Sequence, residues 1–494
     1  MGVNNFDTDV IIVGCGPTGA TLGNLLAVCG INVIILDRED DIYPLPRAVH
    51  FDDEVMRVFQ TIGISGKLNN IVNVNSGMRF VDNKDNILLD WPRPKEIGIH
   101  GWYPSYRFHQ PDLEILLRER LNEQKNIAVK FGVEVLSVKS RPNSSTITYV
   151  EKRSGKLVGL KSKYIIGCDG AKSIIRAAIG GEVNDHGFQE KWLVVDAILK
   201  KDIPELGEFT MQYCDTKRPI TYCHQPKNRR RWEIRLLENE TEEEFEQKDR
   251  IWPLLKKWIT PEVADLERTA IYTFKSMVAS AWKKDRLLIA GDAAHLMPPF
   301  MGQGMCAGIR DAANLAWKIA AVIKKQSDND LLDSYESERV PHVNSYIHTA
   351  IRLGSLINTT DPKKAFEVSS DNNRGEAKMK SLYPVLGHGL GSSFSDALRK
   401  HRGSIAGQPV LSNSHFLDDF CGYNMLCISR EEIKDSSGKI DKLPFLCLHA
   451  QEEPVLHEFL NELEVEAVII RPDRYVLASA VNQNEIKELL SIQL

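Results

Sequence analysis

The 494-residue chain has no apolar run of the roughly 18 residues that a membrane-spanning helix needs. Charge of one sign is also lacking: 62 Lys and Arg against 67 Asp and Glu leave a net charge of −5. That balance gives no basis for binding nucleic acid, and the basic triplet 229–231 is too short to change it. The nine cysteines are odd in number, scattered and without a CxxC, so neither a disulfide framework nor a metal site is expected. No N-terminal stretch reads as a secretory signal, and cytoplasm is the expected location. What is present is an ordinary globular composition, 43% hydrophobic and 26% charged. The length suits about two or three domains.

Near the start, the β-branched run 9–13 (DVIIV) leads into Gly14-Cys15-Gly16-Pro17-Thr18-Gly19 and a helical pattern through Leu22, Leu25 and Leu26. A second apolar run, 31–36, closes on Asp37. Strand, GxGxxG, helix, strand and acid form the unit that sets a pyrophosphate on a helix N-terminus and a ribose diol on a carboxylate. Gly14 and Gly16 allow the turn and the approach of phosphate, and Gly19 lets helix and strand pack.

Residues 164–176 (YIIGCDGAKSIIR) repeat the strand-to-turn pattern with Asp169 at the turn. Taken alone, an Asp there is more often a turn or cap residue than a ligand. Residues 288–320 (LIAGDAAHLMPPFMGQGMCAGIRDAANLAWKIA) are the most informative stretch. An apolar strand ends at Gly291-Asp292, a Pro- and Gly-rich loop follows, and apolar residues then recur at helical spacing. Gly302 and Gly304 put bare amides and a helix N-terminus beside whatever lies above the loop. Asp292 is placed to accept bonds from sugar-like hydroxyls.

These three segments, in this order, resemble the fingerprints of flavin-dependent aromatic hydroxylases, the single-component class A FAD monooxygenases. PRAVHFDDEVMRVFQTIG at 46–63, HQPDLEILLR at 109–118, RRRWEIRLL at 229–237 and LLDSYESERVPHV at 331–343 resemble the 3-(3-hydroxyphenyl)propionate hydroxylase subgroup. The resemblance covers most of the first 350 residues. It implies one FAD, NADH or NADPH as reductant, and O2. It also implies an electrophilic oxygen delivered by a flavin hydroperoxide, ortho or para to a ring hydroxyl of a small aromatic substrate, in aromatic catabolism. Only one GxGxxG occurs, which suits a reductant that visits a groove.

For the FAD, the resemblance implies contacts from Gly14, Gly16, Pro17, Thr18, Gly19, Asp37, Arg38, Arg47, Gln110, Val135, Asp169, Gly291, Asp292, Pro299, Gly302, Gly304 and Met305. Pro298 and Met301 would add to the loop wall, and Arg47 would face a phosphate of FAD or NAD(P)H. As catalytic candidates, His50 is expected to take the phenol proton near neutral pH, the alternative being a purely structural histidine. Tyr222 and His295 are placed with it, His295 alternatively only supporting the loop. Tyr106 and His109 are expected near the pocket, and Gln110 alternatively only starts a helix before Pro111.

The expected fold is α/β: a Rossmann-like FAD-binding domain split over 1–180 and 281–360, and a substrate-binding β-sheet inserted at 181–280 with strands near 192–198, 209–213, 220–224 and 231–237. A linker or helical segment follows at 361–400, its part 361–380 polar and breaker-rich and read as a linker or mobile surface loop. A C-terminal thioredoxin-like domain is expected at 401–494, without a redox CxxC because Cys421 and Cys427 are too far apart for that motif. Monomer and homodimer both stay open. Two other functions share these features: another flavoenzyme on the same fold (a halogenase or reductase), or a non-catalytic FAD-bound sensor. A halogenase would show a WxWxIP-like segment, which Gly101-Trp102-Tyr103-Pro104 is not; a sensor would show no phenol-stimulated turnover.

Overall fold

A computed structural model describes residues 6–43, 47–369, 377–433, 439–440 and 443–490. Pro46, the first residue of the 46–63 segment, lies outside them. The protein is of mixed α/β class, and no described helix is long and apolar enough to cross a membrane.

The first large sheet has a parallel centre in the order Leu287–Ile289, Leu157–Gly167, Thr8–Val13, Val33–Leu36 and Ile127–Lys130. The central strand is buried on both faces, as parallel strands between helix layers must be. Two loops therefore leave the same edge side by side. One is the glycine turn into helix Pro17–Val28, the other the loop 291–303 into helix Gly304–Ile323. Thr18 sits where those helices cross: a Cβ on Gly291 or Gly308 would lie 2.7 or 2.3 Å from its Oγ1. Only glycine there lets the helices approach.

The second large sheet runs His295–Leu296, Ala264–Ala279, Val183–Leu199, Arg229–Arg235, Ile220–His224, Thr210–Tyr213, Gly77–Val81, Ile87–Pro92. It is not drawn from 181–280 alone. The hairpin 77–92 joins its edge through a parallel pairing of Gly77–Val81 with Thr210–Tyr213. The alternation of 77–92 announces strands, but nothing local states which sheet they join. Residues 361–400 follow the second sheet closely in part. Pro362–Val368 is a helix, residues 370–376 lie outside the described ones, and Ala377 and Met379 hydrogen-bond the backbone of Asp90.

A small three-stranded sheet, His50–Asp52, Ser105–Arg107 and Asn73–Val74, bridges the two large ones. The C-terminal region forms a five-stranded sheet in which Met425–Ser429 pairs parallel with Leu443–His449 and antiparallel with Ala467–Ile470. Cys427 and Cys447 are register partners there, an adjacency that sequence spacing does not reveal.

Candidate functional site

Helix Pro17–Val28 begins with Pro17 in its first turn, no side-chain cap and no acidic residue there. Helix Gly304–Ile323 also lacks a side-chain cap and an acidic first turn. Their first amides therefore have no side chain to satisfy them. Gly14 holds φ +100°, and a Cβ on it would lie 2.3 Å from the Cys168 carbonyl oxygen. Gly16 is the opposite case, with nothing within 4 Å of its Cβ position. The turn is thus closed below and open above. A Cβ on Gly19 would lie 2.0 Å from the Gly14 carbonyl oxygen.

Asp37 accepts from the Cys15 amide at 2.5 Å and the Glu39 amide at 2.8 Å, which ties the second strand to the glycine turn. Asp292 is exposed to solvent, yet burial by the surrounding walls pushes its pKa up, against the pull of His295 and Arg47. Arg47 is near enough to act on that carboxyl, and its backbone carbonyl accepts from Arg231 at 2.7 Å. The uncapped helix ends, the open space over Gly16 and Asp292 fit the phosphates and ribityl hydroxyls of an FAD.

Other expected contacts have different partners. Gln110 Oε1 accepts from the Arg47 and Ala48 amides at 3.0 and 2.7 Å, and its amide donates to Glu114, so it shapes segment 47–48. The Asp169 carboxylate caps Ile174–Ile179, accepting from Ser173 Oγ at 2.6 Å and the Ile174 amide at 2.8 Å. Arg38 faces solvent beside Glu39. Val135 lies in strand Val133–Arg141 opposite Tyr149, and Met305 is half-buried in the first turn of its helix.

Beyond the loop lies a cavity of about 510 Å³ including its mouth. Pro299, Met301 and Gly302 form one wall, His50 and Arg107 of the small sheet a second, and Thr210, Gln212, Thr221, Cys223 and Glu233 of the second large sheet a third. Trp91 and Arg93 complete it. Burial pushes the pKa of Arg93 down to about 10 and that of Glu233 up. Arg107 bonds Thr210, its Nε has no partner, and its pKa too is lowered by burial. Neither Arg93 nor Arg107 makes an ion pair among the described residues.

The structure places the catalytic candidates in different surroundings. His50 does line the cavity, but Gly302 O can only accept, so Nδ1 at 3.3 Å carries the proton. The basic Nε2 then accepts from Ser105 Oγ at 2.8 Å. Burial, then Arg107, push its pKa down to about 3. A histidine with its lone pair taken and its charged form disfavoured is a poor acceptor for a phenol proton; it holds the Gly302 turn instead. Tyr222 is on the wrong face. Strand alternation sends Thr221 and Cys223 into the cavity and Tyr222 to the far side, 5.4 Å from the Trp232 ring. His295 is tied to Asp311 Oδ2 at 2.7 Å beneath the loop, outside the cavity. Tyr106 stacks on Phe51 in the core, and His109 lies beside Asp112. Sequence reading missed Arg93, Arg107 and Glu233; no local spacing distinguishes them, and Glu233 stands among arginines in the strand Arg229–Arg235.

Residues 7–350 match the FAD binding domain family. A probable NADH-specific resorcinol 4-hydroxylase of Rhodococcus jostii (strain RHA1) is 34% identical over 99% of this chain and 95% of its own length. The 3-(3-hydroxy-phenyl)propionate/3-hydroxycinnamic acid hydroxylase of Paraburkholderia xenovorans (strain LB400) is 34% identical over 71% of this chain, which spans 56% of that relative's length. Among solved structures, the flavin-dependent monooxygenase PieE in complex with FAD and substrate superposes with a TM-score of 0.84 at 18% identity, covering 98% of each chain; that likeness is one of fold. With the family model spanning 7–350 and a 34% identical relative aligned along almost the whole chain, this protein belongs to the FAD binding domain family.

Proposed function

We propose that this chain is a single-component, FAD-dependent aromatic monooxygenase. It uses NADH or NADPH to place one oxygen atom of O2 ortho or para to the hydroxyl of a small phenol. The carrying observation is the cavity between the loop 299–302 and Arg107, where the buried Arg107 guanidinium and the half-buried one of Arg93, neither with a carboxylate partner among the described residues, line the space. Bound FAD supplies the activated oxygen; the protein binds, orients and excludes water. Pro299 and Met301 close the wall against water, and the strands bearing Thr210 and Cys223 hold the ring. Arg107 and Arg93 favour the phenolate, the electron-rich form, because a nearby cation lowers an acid's pKa by about 1–3. Glu233, kept protonated more readily by burial, suits a hydrogen bond to a second ring substituent.

We read Gly14, Gly16 and Gly19 with Pro17 as the pyrophosphate turn, Asp37 as the ribose ligand, and Asp292, Gly302 and Gly304 as the flavin-side contacts. The Rossmann-like domain then spans 1–180 and 281–360, with 77–92 lent to the substrate sheet. The parallel pair and antiparallel hairpin of the C-terminal sheet support a thioredoxin-like reading of 401–494 without redox chemistry. Resorcinol is the first substrate to try, given the relative aligned along 95% of its length; 3-(3-hydroxyphenyl)propionate is the second. NADH oxidation by the FAD-loaded protein, with each phenol and with product mass analysis, tests the reading. It predicts phenol-stimulated turnover and a product heavier by one oxygen; unstimulated turnover with every phenol would reject it.

A further inference from the structure

The segment Ile470-Arg471-Pro472-Asp473-Arg474-Tyr475 takes no part in the chemistry above, yet it enters the interior of the FAD-binding region. Tyr475 is buried, and its hydroxyl donates to Glu54 Oε1 at 2.6 Å and accepts from His342 Nε2 at 3.2 Å. The direction of the second bond follows from Arg339, which donates to His342 Nδ1 at 2.8 Å. A guanidinium has no lone pair to offer, so Nδ1 is bare and Nε2 carries the hydrogen.

Two routes leave this hydroxyl. Through Glu54, Oε2 accepts from Arg310 Nε at 2.5 Å, and Arg310 donates to Gln303 Oε1 at 3.0 Å and Asp52 Oδ2 at 2.6 Å. Gln303 also donates to Asp52, and its backbone joins Gly302 to Gly304. Through His342, Arg339 Nε donates to Asp311 Oδ1 at 2.8 Å, and Asp311 Oδ2 accepts from the Gly291 amide at 3.0 Å. Burial works against ionised Asp311, but His295 and Arg339 hold its pKa at about 2. One route ends at Gln303 and the other at Gly291, the two ends of the loop 291–303. Every member is buried, so each bond acts in low dielectric and a gap has no water to fill it.

We infer that Tyr475 is a positioning residue that fixes both ends of the 291–304 loop, making the C-terminal region part of the frame that orients the flavin. The inference rests on the reading that this loop lies against FAD. Losing one hydroxyl shifts Glu54 and His342 together, and both loop ends follow.

The test is Tyr475→Phe, measured for FAD dissociation constant by flavin fluorescence, visible circular dichroism of the bound flavin, and melting temperature. The matched control is Tyr423→Phe, a second buried C-terminal tyrosine that donates to the Ala313 carbonyl but belongs to neither route. Tyr475→Phe should weaken FAD binding roughly tenfold and change the flavin dichroism. Tyr423→Phe should lower the melting temperature comparably and leave both flavin readouts as in wild type. If Tyr475→Phe does not fold, Glu54→Gln is read in the same way. Wild-type flavin affinity and dichroism in the route variant, or equal changes in the control, overturn the inference. Asp292→Ala separates the two levels. If it weakens FAD binding while Tyr475→Phe does not, only the inference fails; if it leaves FAD affinity unchanged, the loop reading fails with it.

Discussion

The two walls of the site bind by different means. At the edge of the parallel sheet, the donors are main-chain amides at uncapped helix ends, and the side chains there are mostly hydrogen or small. Across the loop, the cavity uses side-chain charges: buried Arg107 of the small sheet, with half-buried Arg93 and Glu233. Amides cannot be deleted, only covered, so the first wall is vulnerable to added bulk. Charges can be deleted without changing the backbone, so the second wall is vulnerable to neutral substitution.

The largest expected effect breaks the first wall alone. Gly16→Val adds atoms into open space, so the apo protein should melt close to wild type while FAD is no longer retained. Gly14→Val should instead cost the fold as well, because its backbone is left-handed and its Cβ meets the Cys168 carbonyl. Equal melting losses in the two variants, read by calorimetry on apo protein, would erase the distinction. Next, Arg107→Met should keep FAD bound and lower kcat/KM for the phenol by about 100- to 1,000-fold, as loss of a buried charged donor does. Steady-state assays with the flavin spectrum as a control measure it.

A smaller effect concerns His50. Burial pushes its pKa down to about 3 in the fold, from the ordinary histidine value of 6.5. As pH falls below 6.5 the unfolded chain takes up this proton and the fold does not, so stability is lost towards pH 3. His50→Gln should therefore lose less stability between neutral pH and about pH 4 than wild type, by urea titration. The kcat/KM profile of wild type should carry no histidine limb from this residue. Smallest of all, Tyr222→Phe and Cys447→Ser should keep near-wild-type turnover. The Tyr222 hydroxyl lies by the Gly207 carbonyl at 3.4 Å and Arg230, away from the cavity, and the Cys447 thiol sits in the C-terminal sheet.

What the sequence makes legible divides along the same line. The glycine turn, the strand ending at Asp37 and the helix after Gly304 are local patterns, each encoded within about 30 residues. The strands at 192–198, 220–224 and 231–237 are also visible from alternation, and the structure has Val183–Leu199, Ile220–His224 and Arg229–Arg235 there. The cavity is not visible. It joins Arg93 after one hairpin, Arg107 on a three-residue strand and Glu233 more than a hundred residues later. Tyr222 shows the cost of missing parity: one step along its strand reverses the face. His50 was found by position, but its role depends on the Gly302 carbonyl and Ser105 hydroxyl, which only folding brings to it.

The central claim is that backbone donors hold FAD beside a cavity whose arginines hold a phenol for oxygen insertion. The most direct test is a turnover with labelled dioxygen, NADH and the phenol that best stimulates the FAD-loaded protein. One labelled oxygen atom in each product molecule, falling in Arg107→Met while NADH consumption shifts to hydrogen peroxide, is the predicted result. Product carrying unlabelled oxygen, or unaltered labelling and yield in Arg107→Met, would contradict it.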